Sequence, residues 1–151
     1  MSRVNLLPTE VAAVVGAIDP DAYGTGAQAS NIVALKNFRR FMAVVQAGDI
    51  ASTGTIDAKL VGYTSAGGAG AADIAGATIT QLTQAGGDSN KQAIINLNTD
   101  SLAGTAFTHF GLTVTMGTAG ADMGAVIMGF DAPYGPASDS DAATVDSIKS
   151  V

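Results

Sequence analysis

The chain has no cysteine and no tryptophan, a single histidine, and few charged or aromatic residues. Without cysteine there is no disulfide framework, no thiolate nucleophile and no zinc-thiolate site. Charged residues make up 13% of the chain, well below the roughly 25% usual for soluble domains. Much of the surface is therefore left to Thr, Ser, Asn, Gln, Gly and Ala, a composition that suits contact with other proteins.

The charge that is present is mostly negative, with a net charge of −6 over 151 residues. An acidic surface repels phosphate, so we expect no nucleic-acid partner. The basic cluster Lys36, Arg39 and Arg40 is interpreted as a local ion-pairing or interface feature. The apolar run over residues 11–18 is shorter than the about 20 residues that span a bilayer. The run is thus too short to cross a membrane, and we expect no membrane partner. Asp19-Pro20-Asp21 follows it in place of a small-residue cleavage site, so we expect no secretory signal.

Residues 107–135 are the most informative stretch and read as a hairpin of two β-strands around a glycine-rich turn. In the first limb, apolar residues alternate with Thr, Gly and His109, which is typical of a half-buried strand. The second limb, residues 125–130, is almost continuously apolar and predicts a strand covered on both faces. The residues assigned to the core are Phe110, Leu112, Val114, Val126, Ile127 and Phe130.

Further strands are predicted earlier in the chain. Residues 38–47 and 55–63 favour two antiparallel strands, and the loop between them has the length expected of a hairpin. Residues 77–83 and 91–98 follow, separated by a glycine turn. Short strands at even spacing predict an all-β fold, a jelly-roll-like sandwich or barrel with extended terminal arms, and an immunoglobulin-like sandwich stays open.

The predicted organisation has three parts. Residues 1–30, which contain several Pro, Asp and Gly turn signals, are expected to form an N-terminal arm. Residues 31–135 form the β-sandwich body. Residues 136–151 form a polar, acidic C-terminal tail, which is either disordered or docked on a neighbouring subunit.

Little in the sequence points to catalysis. His109 has no serine in a nucleophile-elbow motif and no cysteine to activate, so a structural or interface role is favoured. Asp57 and Lys59 share a strand face and are interpreted as an ion pair, with each other or with a neighbouring strand or subunit.

Two other patterns are also interpreted as structural. The pairs Asp19/Asp21 and Asp139/Asp141 do not continue into a calcium-loop pattern. The glycines at 67, 68 and 70 lack the Lys-Ser/Thr of a phosphate-binding loop. We therefore predict that the protein is not an enzyme and has no catalytic, cofactor-binding or metal-binding residues.

Four segments together carry a resemblance to a known family. They are AIDPDAY (17–23), FMAVVQAG (41–48), TIDAKLVGYTSAGGAGAADIAGATITQLTQAGGDSNKQAIINL (55–97) and FTHFGLTVTMGTAGADMGAVIMGFDAPY (107–134). In this order they resemble small head proteins of tailed bacteriophages and prophages that are similar to capsid decoration, or cement, proteins. The resemblance covers roughly residues 17–134.

The resemblance implies a structural virion protein without catalytic residues or cofactors. Such a protein is made in the host bacterial cytoplasm and sits on the capsid exterior as a homotrimer. It binds the major capsid protein and reinforces the contacts between capsomers. On this interpretation the terminal arms are the parts expected to grip the shell.

Two other functions remain as alternatives. One is a receptor- or carbohydrate-binding β module of a virion fibre or tail, although the chain has no Trp and only three Tyr to stack on sugars. The other is a small hydrolase that would depend on His109.

Overall fold

The structure, a computed structural model, describes residues 6–151. Over this range the chain forms ten β-strands, one short helix and three 3-10 turns. The helix and strands are α1 Pro8–Val11, β1 Ala12–Tyr23, β2 Gly26–Ala29, β3 Val33–Ala34, β4 Arg40–Ile50, β5 Thr55–Tyr63, β6 Ala72–Thr78, β7 Leu82–Thr83, β8 Gln92–Asn98, β9 His109–Gly117 and β10 Ala121–Phe130. The 3-10 turns are Leu35–Asn37, Thr99–Leu102 and Ala137–Ser140.

The strands form two antiparallel sheets. The four-stranded sheet has the order β1-β10-β4-β8. The six-stranded sheet has the order β2-β9-β5-β6, with β3 also paired to β9 and β7 to β5. Each sheet turns its apolar side chains toward the other, so the protein is an all-β sandwich, one of the two all-β architectures that the sequence predicts.

The core between the sheets is made mainly of small aliphatic side chains joined by three phenylalanines. Phe41 of the four-stranded sheet meets Phe110 of the other sheet edge to face, with ring centroids 4.7 Å apart. Phe38 packs against Phe41 at 5.8 Å. Edge-to-face contacts of this kind suit the ring quadrupoles, and all three rings are buried.

Both predicted hairpins are wrong, although their strands form. In each case the two consecutive strands lie in opposite sheets: β4 pairs with β10 and β8, whereas β5 pairs with β9, β6 and β7. Likewise β9 pairs with β2, β3 and β5, whereas β10 pairs with β1 and β4. The loop between β4 and β5 has four residues and the loop between β9 and β10 has three, and each crosses from one sheet to the other. The crossing allows the apolar faces of the two strands to pack against each other in the core.

The burial of β10 also differs from the prediction of a strand covered on both faces. Ala125 and Ile127 point into the core, but Val126 between them is 37% exposed and Phe130 is only half-buried. The alternation of β9 is confirmed, because Phe110, Leu112 and Val114 are all buried. A continuous apolar run in the sequence does not distinguish a strand that is buried on both faces from one that is buried on a single face.

The termini are more integrated than expected. Residues 12–23 and 26–29, assigned to an arm, form β1 and β2, and β1 pairs along its length with β10. Residues 1–5 of that arm lie outside the described residues. The tail docks on its own chain: Ala137 is buried, and the amide of Ala142 donates to the carbonyl of Val14.

Candidate functional site

The outer face of the four-stranded sheet carries an unusual row of apolar side chains. Ala17, Val126, Val44 and Ile94 lie side by side across β1, β10, β4 and β8, because their registers place them directly opposite one another. Side chains opposite each other on one face lie about 4.5–5.5 Å apart, close enough to touch. We call these four residues the apolar row.

A second row extends this surface toward one end of the sheet. Val14 lies opposite Met128, and Met128 lies opposite Met42. These three residues and the apolar row together form what we call the apolar face. All seven side chains are exposed or half-buried, and none lies in the core.

The apolar face is the feature that sequence reasoning missed. Ile94 is 56% exposed and Val126 is 37% exposed, and they are the large apolar side chains most open to solvent within the strands described here. Scattered apolar residues are normal on protein surfaces, but a contiguous apolar patch bordered by polar groups marks an interaction site. The sequence holds no direct signal for the apolar face, because its residues become neighbours only through the order and register of the strands.

At the other end of the same sheet, the outer surface dips into a groove of about 750 Å³. Val44, Gln46 and Val126 contribute to its lining, and residues 19–22 of β1 form one side. The register between β1 and β10 shifts between Ile18 and Asp21. A Cβ placed on Gly124 would lie 3.0 Å from Pro20, so glycine at position 124 allows this irregular segment to lie close over β10.

Acidic and amide groups surround the apolar lining of the groove. The polar residues that line it are Asp19, Asp21, Gln46, Asn90 and Asp122. Nearby, the hydroxyl of Tyr23 donates to the backbone carbonyl of Asp19 at 2.6 Å. Desolvation, followed by the charges of Asp21 and Asp19, raises the pKa of Tyr23 above its usual 10.0. The groove is therefore an acidic, hydrogen-bonding extension of the apolar face.

The basic cluster predicted to form ion pairs does so in part. The Nε atom of Arg40 donates to Oδ2 of Asp131 at 2.5 Å, just beyond the end of β10. The hydrogen bond from Arg40 to Asp131, together with the attraction between the two charges, raises the pKa of Arg40. This pair lies at the end of the sheet near Phe130, which is opposite Arg40 in register.

The other sheet carries the remaining residues that the sequence singled out. His109 begins β9, and its Nδ1 lies 2.8 Å from the hydroxyl of Thr108. Lys59 forms an ion pair with Asp73 on the neighbouring strand at 2.8 Å, rather than with Asp57. Asp57 instead accepts a hydrogen bond from Gln81 at 2.8 Å. These contacts are between exposed or half-buried groups on the outer surface of the six-stranded sheet.

The aspartate pairs and the glycine loop have structural contacts. Asp21 accepts from the amide of Ala22, and Asp141 accepts from the amide of Val14 at 3.0 Å. Gly68 and Gly70 adopt left-handed backbone angles in the loop after β5. Among residues 6–151, no group of three His, Asp or Glu side chains is arranged to hold a metal ion.

No helix within residues 6–151 is long and apolar enough to cross a membrane. Comparisons of the chain with protein families, curated proteins and solved structures found no match.

Proposed function

We propose that this protein decorates the outer surface of a phage head and binds the major capsid protein through the apolar face. The observation that carries the proposal is the apolar face itself, seven adjoining side chains that point away from the core on one sheet. The choice of the major capsid protein as the partner is based on the resemblance to phage head proteins. A sandwich of two antiparallel sheets is compatible with the jelly-roll body that this resemblance implies.

The surface chemistry is consistent with docking on a protein shell. Apolar side chains at the centre of the face would be desolvated on contact, while the polar groups of the groove would lie at the rim. Binding to the assembled shell alone stabilises it by mass action. At a free concentration of about 100 times the Kd, the gain is roughly 2.7 kcal/mol per site.

The proposal also moves the expected contact surface from the terminal arms to the sheet. Most of the segment expected to be the N-terminal arm forms β1 and β2, which are paired within the sheets. Part of the C-terminal tail is bonded to Val14 of the same chain. The outer face of the four-stranded sheet, by contrast, carries an open apolar surface in the described part of the chain. We therefore place the capsid contact there.

A co-sedimentation experiment tests both the function and the surface. Purified protein is mixed with phage heads that lack it, and bound protein and heat resistance of the heads are measured. We expect binding by the native chain and strongly reduced binding by Val126→Glu, because the substitution buries a charge in the contact. Thr113→Glu is the matched control, since Thr113 is on the outer face of the other sheet, opposite Lys59.

The outcomes separate the two parts of the proposal. If the native chain neither binds nor stabilises the heads, the decoration function is wrong. If Val126→Glu binds as well as the native chain while Thr113→Glu does not, the function stands and the choice of sheet is wrong.

The groove favours a second candidate function, carbohydrate or receptor binding by a virion fibre or tail. Its carboxylates and amides are groups that hydrogen-bond sugar hydroxyls, and its volume of about 750 Å³ is within the range of small-ligand sites. None of the described residues that line the groove is aromatic, which weakens this candidate. Specific hits on a glycan array that disappear in Gln46→Ala would favour it over capsid decoration.

A further inference from the structure

The strand β8 forms one edge of the four-stranded sheet and, within residues 6–151, has none of the features that normally protect such an edge. Its sequence, QAIINLN, contains no charged residue and no proline. It pairs with β4 in unbroken register from Gln92 to Asn98, so no bulge twists it away. Natural proteins usually protect exposed edges with lysine, proline, bulges or a covering segment, because an open edge pairs with other chains.

The other sheet edges in the described part of the chain are protected. β1 has two register shifts, contains Pro20, and is bridged at Val14 by the C-terminal tail. β6 has an irregular register with β5, and its Asp73 pairs with Lys59. The edge opposite β6 is divided between the short strands β2 and β3. β8 is therefore the exception.

The hydrogen-bonding direction of β8 shows which groups are open. The amide of Ala47 donates to the carbonyl of Lys91, and the amide of Thr99 donates to the carbonyl of Arg39. In an antiparallel ladder the direction alternates, so odd-numbered residues of β8 bond to β4 and even-numbered residues point to the open edge. Gln92, Ile94 and Asn96 thus present their N–H and C=O groups outward. Asn98 is engaged by the next turn, where the Ser101 hydroxyl donates to its carbonyl at 2.6 Å.

We propose that two copies of this chain pair through β8 about a two-fold axis at Ile94, which joins their four-stranded sheets into one sheet of eight strands. In this register Ile94 lies opposite its own copy, and Gln92 lies opposite Asn96 of the other copy. Three outward N–H groups from each of two copies form six backbone hydrogen bonds.

The side chains of β8 suit this arrangement. The even-numbered residues point to the outer face, so contact between the two copies of Ile94 continues the apolar row from one protomer to the other. The amide side chains of Gln92 and Asn96 face each other, and β8 brings no like charges together. The pairing is isologous and uses both open edges, so it stops at two copies. It differs from the trimer that the family resemblance implies, and it does not depend on the proposed capsid function.

Mass measurement in solution tests the assembly. We expect light scattering on a dilution series of the full chain to give twice the 14.9 kDa protomer mass at high concentration. Asn96→Pro removes an outward N–H and no N–H of the ladder to β4, and should raise the dimer dissociation constant about tenfold or more. Asn96→Ala keeps the N–H and loses only the side-chain amide, so it should weaken the dimer much less than Asn96→Pro does.

A crosslinking experiment tests the register. Because the chain has no cysteine, Ile94→Cys introduces a single thiol that faces its own copy across the axis. Directly hydrogen-bonded residues have Cα atoms about 5.5 Å apart, which is within the range of a disulfide. We expect rapid crosslinking of Ile94→Cys under mild oxidation and much slower crosslinking of Asn96→Cys.

Several results would overturn the inference. These are a monomeric or trimeric native chain at all concentrations, a dimer unaffected by Asn96→Pro, or a dimeric Ile94→Cys variant that crosslinks no faster than Asn96→Cys. A dimer abolished by Val126→Lys but retained by Asn96→Pro would place the contact on the apolar face instead. If Asn96→Pro loses its strand signal in circular dichroism, Ile94→Lys replaces it, because it places two like charges at the axis.

Discussion

The buried ring of Phe38 lies directly against the backbone of Gly129 in β10. A Cβ atom at position 129 would overlap the ring, and Phe38 also packs edge to face against Phe41. Glycine is needed here for close packing rather than for an unusual backbone angle. The contact fixes the segment that leads into β4 against the strand next to it.

Gly129→Ala should therefore destabilise the fold by about 1–3 kcal/mol, the usual cost of overpacking a core. Urea unfolding followed by circular dichroism measures the free energy of unfolding. Gly24→Ala is the matched control, because no described atom beyond its own chain neighbours lies within 4 Å of a Cβ at that position. Equal stability of the two variants would contradict the close packing of Phe38 on Gly129.

The two neighbours Ile127 and Val126 should respond very differently to truncation. Ile127 has an exposed fraction of 0%, whereas Val126 is 37% exposed. Ile127→Ala leaves a cavity in the core and should cost about 2–5 kcal/mol. Val126→Ala should change the free energy of unfolding by no more than about 0.5 kcal/mol. Similar losses at both positions would mean that β10 is covered on both faces, as the sequence predicts.

The C-terminal tail should stabilise the fold only through its first part. Ala137 is 1% exposed, and Asp141 and Ala142 both bond to Val14. Removal of residues 137–151 should lower the unfolding temperature and accelerate hydrogen exchange at the Val14 amide, because that amide loses its acceptor. Removal of residues 143–151 alone should leave Val14 protected. Unchanged exchange in the longer deletion would show that the tail does not hold β1.

Stability should depend on pH through Asp88. Its carboxylate accepts from the amide of Thr83 at 2.9 Å and from Nζ of Lys91 at 3.0 Å. The Thr83 hydrogen bond, and then that of Lys91, lower the pKa of Asp88 below its usual 3.8. A lowered folded-state pKa stabilises the protein above the unfolded-state value, and this stabilisation is lost as pH falls through the folded-state value.

The corresponding experiment compares the native chain with Asp88→Asn by urea unfolding over a series of pH values. The difference in stability between them should be constant at neutral pH and shrink in acid, below about pH 4. Parallel curves down to the lowest pH would mean that the Asp88 carboxylate has no preferential contacts in the folded state.

The sequence predicted the inward faces of several strands correctly. Apolar residues at alternate positions assign Phe110, Leu112 and Val114 of β9 to the core, and all three are buried. β5 shows the same alternation, with Ile56, Ala58 and Leu60 buried. Alternation can be read from the sequence because it is a local property of an extended backbone and is visible in any strand with one solvent-exposed face.

Strand partners could not be predicted in the same way. A loop of three or four residues is compatible with a hairpin and with a crossing between sheets, so β4 and β5 were wrongly paired, as were β9 and β10. The apolar face was missed for a related reason. Val126, Val44 and Ile94 are widely separated in sequence, and only the order β10-β4-β8 brings them together.

The amino-acid sequence alone establishes that this protein is all-β and that its surface is weakly charged. Those properties follow from composition and from alternation along single strands. Only the folded structure shows that the strands form a sandwich, which sheet each strand joins, which apolar residues remain outside the core, and which edge stays open. These depend on pairing between distant segments, and the free energy of that pairing comes from contacts that no single strand contains.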